Sequence, residues 1–174
     1  MCIRDSPLPL LLADFARQLQ DRAPGPGGDV AGAGGAVLKL AGEIGKEEGE
    51  RVAAAATARA EQIGKGRDAD RIRKAGGDAA KRADRRSRTD SIDLALALTA
   101  FWFVDLIAVA EGAPGLVRNL DRSAALTEGA SDLDPALARR AAELAMETRR
   151  RLQVNVSEEL ALEALFHRIA ASFA

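Results

Sequence analysis

Tyrosine is absent from this chain of 174 residues, and cysteine, histidine and tryptophan occur once each. A single cysteine rules out an internal disulfide framework and a Cys-x-x-Cys metal site. That cysteine belongs to Met1 Cys2 Ile3 Arg4 Asp5 Ser6, which looks like the translation of a transposon-end adapter used in sequencing libraries. We therefore expect residues 1–6 to be a scar, set aside from fold reasoning, with the natural N-terminus of a longer protein lying upstream. His167 has no cysteine near it and Arg168 beside it, so a surface or rim position is expected rather than a ligand or general base. The formal net charge is −1, so the chain as a whole carries no excess for binding polyanions.

Nucleotide signatures are missing too. A phosphate-binding loop needs Gly-Lys-Ser/Thr, because backbone amides and the lysine hold phosphates while the hydroxyl helps bind magnesium. Gly45 Lys46 is followed by Glu47, and Gly64 Lys65 by Gly66. The glycines from Gly32 to Gly35 follow no strand pattern and read as a linker. Carboxylates are abundant on helical faces, but no spacing isolates a catalytic pair. The expectation is no catalytic, cofactor or metal residue. No secretory signal is evident, and the apolar run from Leu94 to Val104 ends at Asp105, too short for a bilayer span. These features favour the cytoplasm and no membrane partner.

Apolar residues make up 47% of the chain and charged residues 29%, a mixture suited to helices. Leu11, Leu12, Phe15 and Leu19 recur at helical spacing within Leu8 to Arg22. That segment stops at Ala23 Pro24 Gly25 Pro26 Gly27 Gly28, the start of a Gly/Pro-rich linker over 23–35. A further helix is expected from Lys46 to Ile63, weakened at its start by Gly42, Gly45 and Gly49. Another spans Thr89 to Glu111. One or two short helices fit Pro114 to Thr127. Asp134 caps a helix opened by Pro135, whose inner stripe is Leu137, Ala141, Leu144, Ala145, Thr148 and Leu152. Glu147 and Arg151 are spaced as an i,i+4 pair. Ser157 can cap a last helix, with Glu158 and Glu159 at the positive end of its dipole. The sum is an all-α bundle of about five to seven helices, with an N-terminal helical part over 7–80 and a bundle over 81–174.

Two features stand out for binding. From Lys65 to Arg88 ten basic residues, among them Arg82, Arg85 and Arg86, face only Asp68, Asp70, Asp78 and Asp84, with Gly76 and Gly77 interrupting. Such a run either attracts polyanions in a salt-dependent way or forms a solvated helix with internal ion pairs, in which case DNA binding is weak. No aromatic is interleaved, which disfavours a single-strand stacking platform. The second feature is Phe101 Trp102 Phe103. Successive residues on a helix diverge by about 100°, so one narrow face cannot bury all three. Either the core takes them from several sides, or one ring serves a subunit contact.

Near the C-terminus the chain reads Arg149 Arg150 Arg151 Leu152 Gln153 Val154 Asn155 Val156 Ser157 Glu158 Glu159 Leu160 Ala161 Leu162 Glu163 Ala164 Leu165. With the upstream block Thr99 to Ala113, this resembles the C-terminal domain of the δ′ subunits of bacterial DNA polymerase III clamp loaders. Asn155, Val156 and the run Leu160 to Leu165 match one family motif. Phe103, Asp105, Leu106, Gly112, Ala113 and the Lys81 to Arg88 run match another. Val104 stands where relatives carry an arginine, so that arginine's role does not transfer. The resemblance covers residues 81–174 and leaves Ala23 to Gly77 unmatched.

The resemblance implies a collar-like helical domain that follows an AAA+ module and holds a hetero-pentamer together with the δ and ATPase subunits. ATP bound by other subunits then opens the sliding clamp for loading on primed DNA. The domain would perform no chemistry, within a holoenzyme that is a DNA-directed DNA polymerase, and would meet DNA only indirectly or weakly. Phe101, Trp102, Phe103, Asp105, Asn155, Leu160 and Leu165 are the candidate interface or motif residues; Arg82, Arg85 and Arg86 are the candidate polyanion contacts. Two other readings stay open: the collar of the ATPase subunit, or a free-standing helical nucleic-acid-binding or regulatory protein using residues 65–88.

Overall fold

The computed structural model describes residues 30–131, 133–154 and 156–173. The expected helix over Leu8 to Arg22 and the Pro/Gly tract at 23–28 lie outside the described residues. Five α-helices lie among the described residues: α1 Val30–Ile63, α2 Arg67–Ala110, α3 Ser123–Gly129, α4 Pro135–Leu152 and α5 Glu158–Ser172. Two 3₁₀ turns, Pro114–Leu116 and Leu120–Arg122, connect α2 to α3. No strand occurs among the described residues, and the architecture is all-α, as composition and periodicity require.

The chain divides into two compact units, Leu38–Asp93 and the remainder. Residues 80 and 81 lie within one continuous helix, so the boundary expected there has no structural counterpart. The division falls between Asp93 and Leu94, where α2 changes from small and charged residues to large apolar ones.

The first unit is a helical hairpin. No proline occurs between Pro26 and Pro114, so nothing forces α1 or α2 to stop early. The turn between them uses Gly64 at φ 93° and Gly66 at φ 140°, left-handed conformations that favour glycine. The Gly64 N–H closes α1 onto the carbonyl oxygens of Ala60 and Glu61 at 3.1 Å each. Asp68 and Asp70 sit in the first turn of α2, where negative charge meets the positive end of the helix dipole.

Glycines expected to weaken these helices instead form the seam between them. A Cβ on Gly45 would lie 2.8 Å from the Asp84 carbonyl oxygen, and one on Gly49 would lie 3.2 Å from that of Ala80. A Cβ on Gly76 would collide with that of Ala56. Each glycine in a helix interior costs about 1 kcal/mol against alanine, a cost that close helix contact here offsets. The same logic corrects the reading of residues 30–35 as linker. They open α1, and Gly34 lies where a Cβ would touch the Phe166 ring at 3.4 Å.

The second unit packs large side chains. Leu96, Leu106, Leu126, Leu144, Leu162, Leu165, Phe166 and Ile169 are fully buried. In α5 the buried positions 162, 165, 166 and 169 follow helical spacing and give one inward stripe against α4. In α4 the stripe is centred on Ala138, Ala141, Ala142, Leu144, Ala145 and Thr148, with Leu137 and Leu152 only half-buried at its ends. Asp134 Oδ1 accepts the Ala136 N–H at 2.8 Å and caps α4, and Ser157 Oγ accepts the Leu160 N–H at 3.5 Å and caps α5. Glu147 pairs with Arg151 at 2.6 Å along α4 and with Arg168 of α5 at 3.7 Å.

An 18-residue window of α2 is long and apolar enough to cross a bilayer, because the apolar stretch continues past Asp105 rather than ending there. That window is 61% buried inside the protein, which fits a core helix of a soluble fold.

Candidate functional site

The C-terminal half of α2 organises the bundle's distinctive chemistry. Asp105 is completely buried, so its carboxylate must be hydrogen-bonded to be tolerated. Its Oδ1 accepts the Arg118 N–H at 3.1 Å, and its Oδ2 accepts the Asn119 N–H at 2.9 Å and the Asn119 side-chain N–H at 2.6 Å. These bonds draw the segment between the two 3₁₀ turns back against α2. The reversal starts at Gly112, at φ 73°, where the Ala113 N–H reaches the Ala108 carbonyl at 2.8 Å and the Gly112 N–H reaches that of Val109 at 3.1 Å. That pairing is the Schellman close of a helix, and it requires the left-handed residue a glycine supplies.

The three successive aromatics separate as helical geometry demands. Trp102 and Phe103 are buried, whereas Phe101 is 42% exposed. Phe103 stacks on Phe173, with centroids 6.0 Å apart and rings 16° from parallel. Trp102 is inside without a hydrogen-bond partner for its Nε1. The Arg118 guanidinium lies over the outward Phe101 ring, 5.5 Å from its centroid. Arg118 and Asn119 escaped sequence reasoning, since their partners lie 13 and 14 residues away along the chain.

Of the candidate interface residues, then, Trp102, Phe103, Asp105 and Leu165 are interior, while Phe101 and Leu160 face outward. Asn155 lies outside the described residues. Around the outward pair the bundle leaves other large apolar side chains in water. Leu116 and Leu120, on either side of the segment bonded to Asp105, are 70% and 71% exposed. Val154 and Val156 flank the turn into α5 with Leu160, and all three are exposed. His167 is exposed on α5.

In the hairpin, Arg82, Arg85 and Arg86 are all exposed on α2, and their i, i+3, i+4 spacing spreads them over an arc of about 100°. Arg82 and Arg86 line a shallow groove with Glu48, Val52, Ser87 and Asp90, so its charge is mixed. Glu48 is held below the usual carboxylate range by hydrogen bonding to Arg51, whose guanidinium is shifted up in return. Among the described residues no three His, Cys, Asp or Glu side chains gather where a metal ion could sit.

No protein-family model matches this chain, and no curated protein or solved structure shows significant similarity to it.

Proposed function

We propose that the bundle is a subunit-assembly domain, the collar of a bacterial DNA polymerase III clamp loader of the δ′ kind, working in the cytoplasm. Its partners would be the collar domains of the δ and ATPase subunits in a hetero-pentamer. Its part in loading the clamp on primed DNA would be to hold subunits in place, without chemistry of its own.

What supports the reading is the distribution of outward apolar side chains. Phe101, Val104, Leu116, Leu120, Val154, Val156 and Leu160 are large, exposed and all on the bundle, whereas the hairpin exposes only Ile63 in this class. Contiguous exposed apolar surface marks protein–protein contacts, and the bundle rather than the hairpin holds the side chains to build it. Asp105 fixes the segment that presents two of these side chains, and Arg118 over Phe101 adds the residue types that dominate interface energetics.

The test is co-elution of the whole chain with bacterial δ and ATPase-subunit collar domains in size-exclusion chromatography. Phe101→Ala with Leu160→Ala should weaken co-elution and leave the melting temperature nearly unchanged. A wild-type chain that stays monomeric and ignores those collars at micromolar concentrations would overturn the proposal.

A further inference from the structure

We propose that the outer face of α2 between Arg67 and Arg85 is a docking surface for the phosphate backbone of duplex DNA. The inference is independent of the assembly reading, which requires no DNA contact from this unit.

A continuous helix is what makes the face. The sequence places Gly76 and Gly77 in the middle of the basic run, where a break would scatter its charges, but α2 passes through both without interruption. At 3.6 residues per turn, Arg67, Arg71, Lys74, Lys81, Arg82 and Arg85 then fall within an arc of roughly 100°. Ala69, Gly76, Ala80 and Ala83 point the opposite way; Ala69 and Gly76 are buried and Gly76 abuts Ala56 of α1. Arg67, Arg71, Lys74, Lys81 and Arg85 therefore lie on the side of α2 that α1 leaves open, Arg82 borders the groove that Glu48 and Val52 of α1 also line, and all six are exposed.

They are also unspent. In this stretch Arg73 pairs with Asp70 at 2.9 Å, but Arg73 lies off the stripe, as does Arg86. Among the described residues none of the six stripe cations makes an ion pair. The one acid within the stripe, Asp78, pairs with neither Lys74 nor Arg82, although both are one helical turn away.

The shape of the charge selects the occupant. From Arg67 to Arg85 the helix makes a straight rod of about 27 Å. A duplex presents one phosphate per roughly 1.7 Å of its axis, uniformly and at any sequence, so a rod of that length can meet charge along its whole extent. Single strands bind by stacking on aromatic rings, and the hairpin unit contains none. A membrane-surface helix needs apolar residues beside its cations, and every stripe position is polar or charged.

The experiment measures retardation of a short blunt-ended DNA duplex by the whole chain in native gels over a series of KCl concentrations. Wild-type protein should bind at low salt, with log K falling against log [KCl] by about 0.9 per engaged cation. Arg71→Gln, Lys74→Gln, Arg82→Gln and Arg85→Gln combined should flatten that slope by roughly three to four and weaken low-salt binding by about tenfold or more. Arg139→Gln, Arg140→Gln and Arg150→Gln combined, which remove charge from α4, should change neither. Asp78→Lys should tighten binding and steepen the slope by about one to two, a gain that misfolding cannot imitate. The proposal fails if wild-type protein leaves the duplex unretarded at low salt, or if the α4 variant loses as much as the stripe variant. It fails equally if Asp78→Lys brings no gain, or if poly-glutamate or phosphatidylserine vesicles are bound as tightly as the duplex.

Discussion

The hairpin and the bundle hold helices together by opposite means. In Leu38–Asp93 the seam is built on glycine and alanine, so backbones meet closely, and Ile92 is the one large apolar side chain fully buried in the unit. In the bundle, leucines, isoleucine and aromatics fill the space between helices, and burial of each contributes on the order of 1.5–3 kcal/mol. The lesson is that a long helix need not be uniformly secured. α1 and α2 run through both units, yet stability should concentrate in the bundle, while the hairpin depends on fit rather than on area.

The sharpest way to break this comparison is to remove bulk from the bundle. Trp102→Ala and Phe103→Ala should each cost roughly 3–5 kcal/mol and lower the melting temperature followed by circular dichroism. An unchanged melting temperature would mean that these rings are not core. Next in size comes Asp105→Ala, which strands two backbone N–H donors at Arg118 and Asn119 and should cost about 2–4 kcal/mol. Hydrogen exchange should then accelerate at both amides; if they stay protected, the carboxylate is not what holds that segment.

The hairpin makes the subtler test, through two neighbouring glycines. On helix propensity alone both should gain from alanine. Gly77 has open space where a Cβ would go, so Gly77→Ala should stabilise by about 0.5–1 kcal/mol. At Gly76 the added methyl meets Ala56, and overpacking should reverse the sign, costing about 1–3 kcal/mol. Equal effects at the two positions in urea denaturation would remove the close seam from the account.

The smallest effect belongs to Glu48 and Arg51. Because the folded state lowers the Glu48 pKa, its contribution is present above the ordinary carboxylate pKa and is lost as pH falls through the lowered value. Both groups are solvent-exposed, so the effect is slight. The melting-temperature gap between wild type and Glu48→Gln should close in acid, and a gap that widens there would reverse the assignment.

What was legible in the sequence was local chemistry. Asp134 before Pro135, Ser157 before Glu158 and the stripe of α4 rest on neighbours within a turn or two, and the helical class follows from them. The reach of α1 and α2 was not legible, because a glycine that breaks a helix and one that admits a partner helix look alike until the partner is known. Asp105 was singled out as a motif residue, but its bonds to Arg118 and Asn119 required the chain to double back. That three adjacent aromatics could not share one face was evident; that Phe101 is the outward one depends on Phe173 meeting Phe103 from elsewhere.

The lone tryptophan has a practical consequence. Trp102 is enclosed in the bundle with its indole N–H unbonded, and the hairpin has no aromatic residue, so intrinsic fluorescence reports on the bundle alone. Folded protein should emit at the blue end of the tryptophan range, shifting red only when the bundle opens. Far-ultraviolet ellipticity sees both units, so a helix signal that decays before the emission shifts would register the hairpin melting by itself, with no label attached.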